Sequence, residues 1–312
     1  MNITFKIKRY NKEKPDQKAY FDEFQLELPE SATVLDGLMK IKEEKDGSLS
    51  FRRACRAAIC GSCAVTVNGR AKLACKTQVK TEWDKYGVLK IEPLKSLPVI
   101  KDLVVAMDGF FEKMYRIKPW LIPESKAGDK ERKMSPERFN KLYKSATCIL
   151  CGCCFSSCPV YEVDKKFLGP AASVKSYRFS ADSREGTKKE RLKELQKEGI
   201  WYCSHCESCV AQCPKEIMPQ ELINLLREMS VKEGFVKNDG ARHALAFKKS
   251  IKRTGELDEA RLPLYTFGLF RVIKQVPLAI KLFFKGKLPP VIMKKIKDIN
   301  NLKKLFKNGS RE

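Results

Sequence analysis

The chain has 312 residues, 43% of them hydrophobic and 32% charged, with a formal net charge of +24. This balance excludes a disordered or fibrous chain and allows about two domains, each with its own core. The charge suits nucleic acid, an anionic membrane surface or an acidic protein partner, and by itself does not choose among them. No run of about 18 apolar residues occurs, so no transmembrane helix is expected. Residues 1–30 lack a basic start followed by an apolar core, so no export signal of the chain's own is expected either. The 13 cysteines then read as reduced thiolates that hold metal.

Residues 3–7 alternate as Ile-Thr-Phe-Lys-Ile, and Phe24, Leu26 and Leu28 alternate with polar residues, which predicts two strands joined around Lys14-Pro15-Asp16. Ser31 or Thr33 caps a helix with Leu35, Leu38 and Met39 on one face. Ala64 to Val67, Asn68-Gly69 and Ala71 to Ala74 form a hairpin. The expected first domain is a small sheet with one helix across it. Set into it, Cys55, Cys60 and Cys63 are spaced C-x4-C-x2-C, with Cys75 at the far end of the hairpin, the plant-type arrangement for a two-iron cluster. Ala57, Ala58, Gly61 and Ser62 are small enough for backbone N–H groups to close on the sulfurs. Arg52, Arg53 and Arg56 add positive charge, either as a solvated loop edge or to tune the potential.

Residues 97–117 place Leu103, Met107, Phe110, Phe111 and Met114 at helical spacing, so a helix with a core stripe is expected to open a second domain after Pro93 and Pro98. Residues 122–135 read as an exposed loop.

Residues 148–158 read Cys-Ile-Leu-Cys-Gly-Cys-Cys-Phe-Ser-Ser-Cys, followed by Pro159. Cys148, Cys151, Cys154 and Cys158 have the spacing C-x2-C-x2-C-x3-C-P of a bacterial-ferredoxin segment, and Cys203, Cys206, Cys209 and Cys213 with Pro214 repeat it. Three thiolates two residues apart wrap one cubane, while the fourth lies past the loop, where the proline suits the first turn of a helix. The fourth thiolate therefore points at the other cluster. One four-iron cluster is expected on Cys148, Cys151, Cys154 and Cys213, and a second on Cys158, Cys203, Cys206 and Cys209. Zinc usually takes two separated cysteine pairs, and disulfides need an oxidising compartment, so both fit this pattern poorly. Cys153 stands outside the three groups and reads as a small apolar residue beside a cluster, with a reactive thiol as the alternative.

Between the motifs lie Phe167-Leu168-Gly169-Pro170, Tyr177-Arg178-Phe179 and Ala181-Asp182-Ser183-Arg184, then a charged helix around 188–198. With Ser50 through Cys63, Leu73-Ala74-Cys75-Lys76-Thr77 and Lys118-Pro119-Trp120-Leu121, these make the chain resemble the iron–sulfur subunit of succinate dehydrogenase and fumarate reductase over roughly residues 1–235. The resemblance implies an α+β fold. A β-grasp, plant-type-ferredoxin-like domain (1–96) precedes an α-helical, bacterial-ferredoxin-like domain with two tetranuclear clusters (97–235), and 236–312 form a basic helical extension.

The resemblance further implies one [2Fe-2S] and two tetranuclear clusters. In the family the position of Cys206 is commonly another residue and the cluster there has three irons. A fourth thiolate can hold a fourth iron and adds negative charge. Two [4Fe-4S] clusters are therefore expected, with a [3Fe-4S] cluster without Cys206 as the alternative. Where respiratory members carry a tryptophan and a histidine beside quinone, this chain has Glu162, Val163 and Ser204, which places a quinone site built from this subunit in doubt. His205, one position away, reads as an ordinary exposed histidine, with a redox or proton role as the alternative.

From Arg261 to Glu312, 13 Lys and Arg stand against Asp298 and Glu312, net +11, interleaved with apolar residues. Such a tail lies on an anionic membrane, clasps an acidic partner, or packs on its own domain with a solvated face. Similar tails occur in relatives that work with a cysteine-rich, heterodisulfide-reductase-like partner.

The function expected from the resemblance is a relay of single electrons between an FAD-bearing dicarboxylate flavoprotein and a third subunit, membrane-anchoring or cysteine-rich, with quinone reached indirectly. The sequence holds no G-x-G-x-x-G fingerprint, so flavin and substrate chemistry belong to the partner and no catalytic residue is expected here. The alternative is the same relay in a heterodisulfide-type or glycolate-type oxidoreductase. No nucleic-acid partner is expected, because the basic residues are spread without a recognised binding module. The complex is expected peripherally on the cell membrane, on the cytoplasmic side, or on the periplasmic side if exported with a partner.

Overall fold

The alternating N-terminal segment forms β1 (Asn2–Arg9), which buries Ile3, Phe5 and Ile7. It pairs antiparallel with β2 (Tyr20–Glu27), Phe5 opposite Phe24. The computed structural model describes all residues except 15, 17, 125–130, 291–292 and 309–312, so part of the expected turn at Lys14-Pro15-Asp16 and of the expected loop at 122–135 lies outside the described residues. The described chain divides into two units, residues 1–228 and 229–312.

Thr33, not Ser31, caps α1 (Val34–Glu44): its hydroxyl accepts the Asp36 N–H at 3.2 Å, and the Asp36 carboxylate accepts the Thr33 N–H at 2.8 Å. The helix buries Leu35 and Leu38. It crosses the sheet at Gly37, where a Cβ would run into the Phe5 ring. Next come β3 (Ala64–Val67) and β4 (Arg70–Leu73), joined at Asn68 and Gly69 with φ of +46° and +80°, a type I′ turn. After α2 (Val79–Tyr86), β5 (Leu89–Glu92) enters the middle of the sheet, parallel to β1 and antiparallel to β3, giving the order β2-β1-β5-β3-β4.

Residues 97–117 are not one helix. β6 (Val99–Lys101) and β7 (Val104–Val105) form a hairpin whose turn residue Asp102 has φ +47°, and α3 spans only Asp108–Arg116. Leu103 is buried in that hairpin, Phe110 and Met114 are buried on the helix, and Phe111 is exposed. A left-handed aspartate ends any helix that the apolar spacing suggests.

Helices then predominate: α4 (Pro136–Ala146), α5 (Cys153–Ser156), α6 (Pro159–Val163), α7 (Pro170–Ser180), α8 (Lys188–Lys197), α9 (Ser208–Ala211) and α10 (Pro219–Lys232). Pro159 occupies the first turn of α6, directly after Cys158. Phe155 is buried, packed edge-on against Phe110 (centroids 5.2 Å apart) and against Tyr161.

In the second unit α11 (Asp239–Thr254) packs on α12 (Leu262–Phe267) and α15 (Ile299–Asn308). Between them run α13 (Leu269–Ile273) and α14 (Val276–Phe284), neither of which buries a residue. Among the described residues no helix is long and apolar enough to cross a membrane.

Candidate metal centres

The loop carrying Cys55, Cys60 and Cys63 is anchored by a buried guanidinium. Arg9 donates from Nε to Asp102 (3.1 Å), from Nη1 to Asp22 (2.7 Å) and Asp46 (2.5 Å), and from Nη2 to Ser48 (2.9 Å). The second Asp102 oxygen accepts the Ser50 N–H at 2.9 Å, which fixes the chain where it enters the loop. Within the loop Arg56, Ala58 and Gly61 take positive φ, and the amides turn inward. The N–H groups of Ala57, Ile59 and Cys60 donate to Cys55 Sγ at 3.3–3.4 Å, and that of Ala58 to Cys75 Sγ at 3.3 Å. The Cys63 and Cys75 sulfurs stand 3.3 Å apart. This is a cradle for thiolates: the Ser62 hydroxyl and the Cys55 neighbourhood bring Cys60 down to about 6, while burial pushes Cys63 up to about 12.

The first tetranuclear motif surrounds a cavity with Cys148, Cys151 and Cys154 in its wall, and the remaining cysteine there is Cys213 from the second motif. Ile149, Leu150, Ala171, Val174 and Ile217 make the rest mostly apolar. Burial raises Cys148 and lifts Cys154 well above the usual thiol range, whereas the Cys153 thiol holds Cys151 at about 7. Cys153 itself is fully buried. The Ile217 N–H donates to Cys213 Sγ at 3.4 Å.

Cys158 joins the other group. Burial, then the adjacent Cys203, Cys158 and Cys206, pushes Cys209 up to about 12; burial with Cys203 and Cys206 raises Cys158. Burial also pushes Cys206 up, but hydrogen bonds led by Ser208 outweigh it and leave this exposed thiol lowered. α5 packs against α9, which brings the two motifs face to face. Among the described residues no three His, Cys, Asp or Glu side chains converge tightly enough for a single ion. Cys148, Cys151, Cys154 and Cys213 instead stand around a cavity, as a cubane with one thiolate per iron requires, and four thiols in the loop supply the two per iron of a two-iron cluster. The residues present therefore fit iron–sulfur clusters.

Two ties join the two-iron region to the first cavity. A Cβ on Gly61 would meet Cys151 Cβ at 2.8 Å, so the loop rests directly on the first motif. Gln212 accepts the Ala71 N–H at 2.6 Å, and Lys76 donates to the Pro214 carbonyl at 3.0 Å, on either side of Cys213.

The sequence pattern does not reveal the ionic groups that hold this frame. Buried Asp182 accepts from Arg178 (2.6 Å) and Arg184 (2.8–2.9 Å); burial alone would raise it, but Arg184 and Arg178 hold it at about 2. Buried Arg191 donates to Glu185 (3.1 Å) and to the carbonyls of Ile117, Lys118 and Trp120, which ties Lys118-Pro119-Trp120 to the segment after Arg184. Glu162, Val163 and Ser204 are exposed. His205 lies between Gln220 (2.9 Å from Nδ1) and Arg227, which also donates to the carbonyls of Ile200 and Cys203. Arg227 can only donate, so His205 Nε2 accepts and the ring is neutral, with Nδ1 against the Gln220 side-chain amide. Burial and Arg227 both lower the His205 pKa.

An amide-lined thiol loop on a small sheet, followed by helices bearing two face-to-face cysteine motifs, defines an iron–sulfur protein. Residues 4–112 match the family described as "2Fe-2S iron-sulfur cluster binding domain", and residues 144–217 match the "4Fe-4S dicluster domain". The chain is 36% identical over 268 residues to the 8-methylmenaquinol:fumarate reductase iron–sulfur subunit of Wolinella succinogenes, covering 84% of each chain. It is 38% identical over 235 residues to the succinate dehydrogenase iron–sulfur subunit of Coxiella burnetii, covering 74% of this chain and 98% of that one. The fold is that of a chain in the Mycobacterium smegmatis Sdh1 complex in the apo form (TM-score 0.68, 23% identity, covering 75% of this chain and 97% of that one). The chain belongs to the succinate dehydrogenase/fumarate reductase iron–sulfur subunit family, and its role is electron transfer.

Proposed function

We propose that this chain passes single electrons between an FAD-bearing dicarboxylate flavoprotein and a third, membrane-side subunit, either membrane-anchoring or cysteine-rich, through which quinone is reached. The ligand sets are Cys55, Cys60, Cys63 and Cys75 for [2Fe-2S]; Cys148, Cys151, Cys154 and Cys213 for the first [4Fe-4S]; and Cys158, Cys203, Cys206 and Cys209 for the second. When bound, these clusters supply one-electron redox chemistry. The polypeptide's part is to place donors on the sulfurs, exclude water and fix the spacing. Four N–H groups stabilise thiolate charge in the loop, and apolar side chains dry the first cavity.

The observation that carries this reading is Cys213 in the same cavity wall as Cys148, Cys151 and Cys154. The contacts of Gly61 with Cys151 and of Ala71 with Gln212 support the order two-iron, first four-iron, second four-iron. Exposed Glu162, Val163 and Ser204 agree with a quinone handled by the partner. The complex sits peripherally on the cytoplasmic side of the membrane.

Replacing Cys206 by Ser is expected to convert the second cluster toward three irons. An unchanged low-temperature EPR spectrum of the oxidised protein would sink that ligand assignment. Anaerobic purification of the tagged chain with its partners, assayed for fumarate reduction by a reduced viologen, tests the relay. A flavoprotein partner without that activity would move the substrate elsewhere.

A further inference from the structure

α13 and α14 leave large apolar side chains in the open: Phe270 is 87% exposed, Phe284 81%, Phe283 66% and Ile273 55%. At about 100° per residue Val276, Ile280, Phe283 and Phe284 share one face of α14. Lys281 flanks this face, and Lys285 and Lys287 follow the helix end. From Arg261 to Lys297 the sequence has nine Lys and Arg and no Asp or Glu. In contrast, α11 and α12 in the same unit bury Ala241, Ala246 and Thr266 and pack on each other.

We propose that α13 and α14 insert this apolar face into the headgroup region of an anionic phospholipid bilayer, so that the chain makes a membrane contact of its own. Two observations favour lipid over a protein partner, and a third bears on orientation. Apart from Arg271, which pairs with Asp239 of α11, the positive run complements a uniformly anionic surface, whereas a protein interface usually has a polar rim of mixed groups. The cations beside the apolar face are chiefly lysines, which are depleted from protein interfaces but extend readily from a buried stem to phosphate. No described helix is long and apolar enough to span, so the pair lies in the plane of the headgroups.

The test is flotation of the full, cluster-bearing chain with vesicles of phosphatidylcholine, with and without phosphatidylglycerol. Binding is expected only with the anionic lipid and is expected to weaken as salt rises. Phe283→Ser with Phe284→Ser keeps every charge and is expected to weaken binding at least ~10-fold. Lys281→Gln is expected to weaken it ~5-fold. An unchanged visible spectrum shows that the clusters are intact, and unchanged far-UV circular dichroism shows that each variant keeps its helices. Undiminished binding by the phenylalanine variant would overturn the proposal, since it would mean plain adsorption of a highly basic chain. Failure of the wild type to bind anionic vesicles at low salt would also overturn it, and copurification of the apolar face with the third subunit would then identify a protein surface. Only this chain and lipid are present, so neither result bears on the electron relay.

Discussion

The two cysteine-bearing regions of the first unit solve one problem by opposite means. In the sheet region Cys55 and Cys60 are exposed and hydrogen bonds lead: three amides point at Cys55 alone, and the Ser62 hydroxyl first, then nearby amides, bring Cys60 down to about 6, while burial pushes only Cys63 up, to about 12. In the helical region burial raises Cys148, Cys154, Cys158 and Cys209, and only Cys151 and Cys206 are lowered, where hydrogen bonds led by Cys153 and Ser208 outweigh burial. A loop can ready thiolates in advance of iron because its amides are free to turn inward. Helices have committed most of their amides to one another, so there iron itself must hold the charge on the four thiols whose pKa burial raises. Cluster retention should therefore depend on neighbouring hydrogen-bond donors in one region and on a closed apolar wall in the other.

The largest expected effect breaks the wall. Cys213→Ala is expected to abolish one tetranuclear cluster, leaving the two-iron spectrum intact, whereas Cys55→Ala should remove only the two-iron signal; iron content and EPR decide. Arg9→Ala comes next. It strands Asp102, which is 3% exposed, and should cost about 3–5 kcal/mol in chemical denaturation. The sheet region should then lose its loop before the helices melt. Asp182→Asn probes the helical region. The carboxylate's pKa is depressed from 3.8 to about 2, so its stabilisation is fully present above pH 4 and lost as pH falls toward 2. The wild type should exceed the variant by roughly 2 kcal/mol at neutral pH, and the gap should close in acid. Gly61→Ala has the smallest backbone cost, about 1–2 kcal/mol for a left-handed alanine, to which its approach to Cys151 adds. It presses on Cys151, so electron transfer between the two-iron and tetranuclear clusters, followed by freeze-quench EPR, should slow while iron content stays constant.

Much of this was legible in the residues. Alternation marks β1 and β2, Asn68-Gly69 marks the hairpin, and Pro159 after Cys158 opens α6 as the motif predicts, whereas Pro214 after Cys213 lies in a turn and the next helix begins only at Pro219. Other features carry no local signal. β5 is four residues long, too short to declare itself, yet it is central to the sheet. The Arg9 cluster unites residues up to 93 positions apart, which no spacing rule detects. Leu103 and Met107 fit a helical period by coincidence; the left-handed Asp102, held by Arg9, decides the matter through tertiary contact. The basic tail was visible as composition, but only packing separates α11 and α12, which bury residues, from α13 and α14, which bury none.

The shared cavity also has a consequence for biosynthesis. Cys148 and Cys213 are 65 positions apart, so at ~5–20 residues per second the ribosome needs several seconds to deliver the last wall after the first has emerged. Until then the nascent chain presents an unfinished, thiol-lined hollow beside a loop already able to fold. An iron-delivery factor acting during translation would meet the two-iron site first, and the paired helical sites only after residue 213 of 312 has been added.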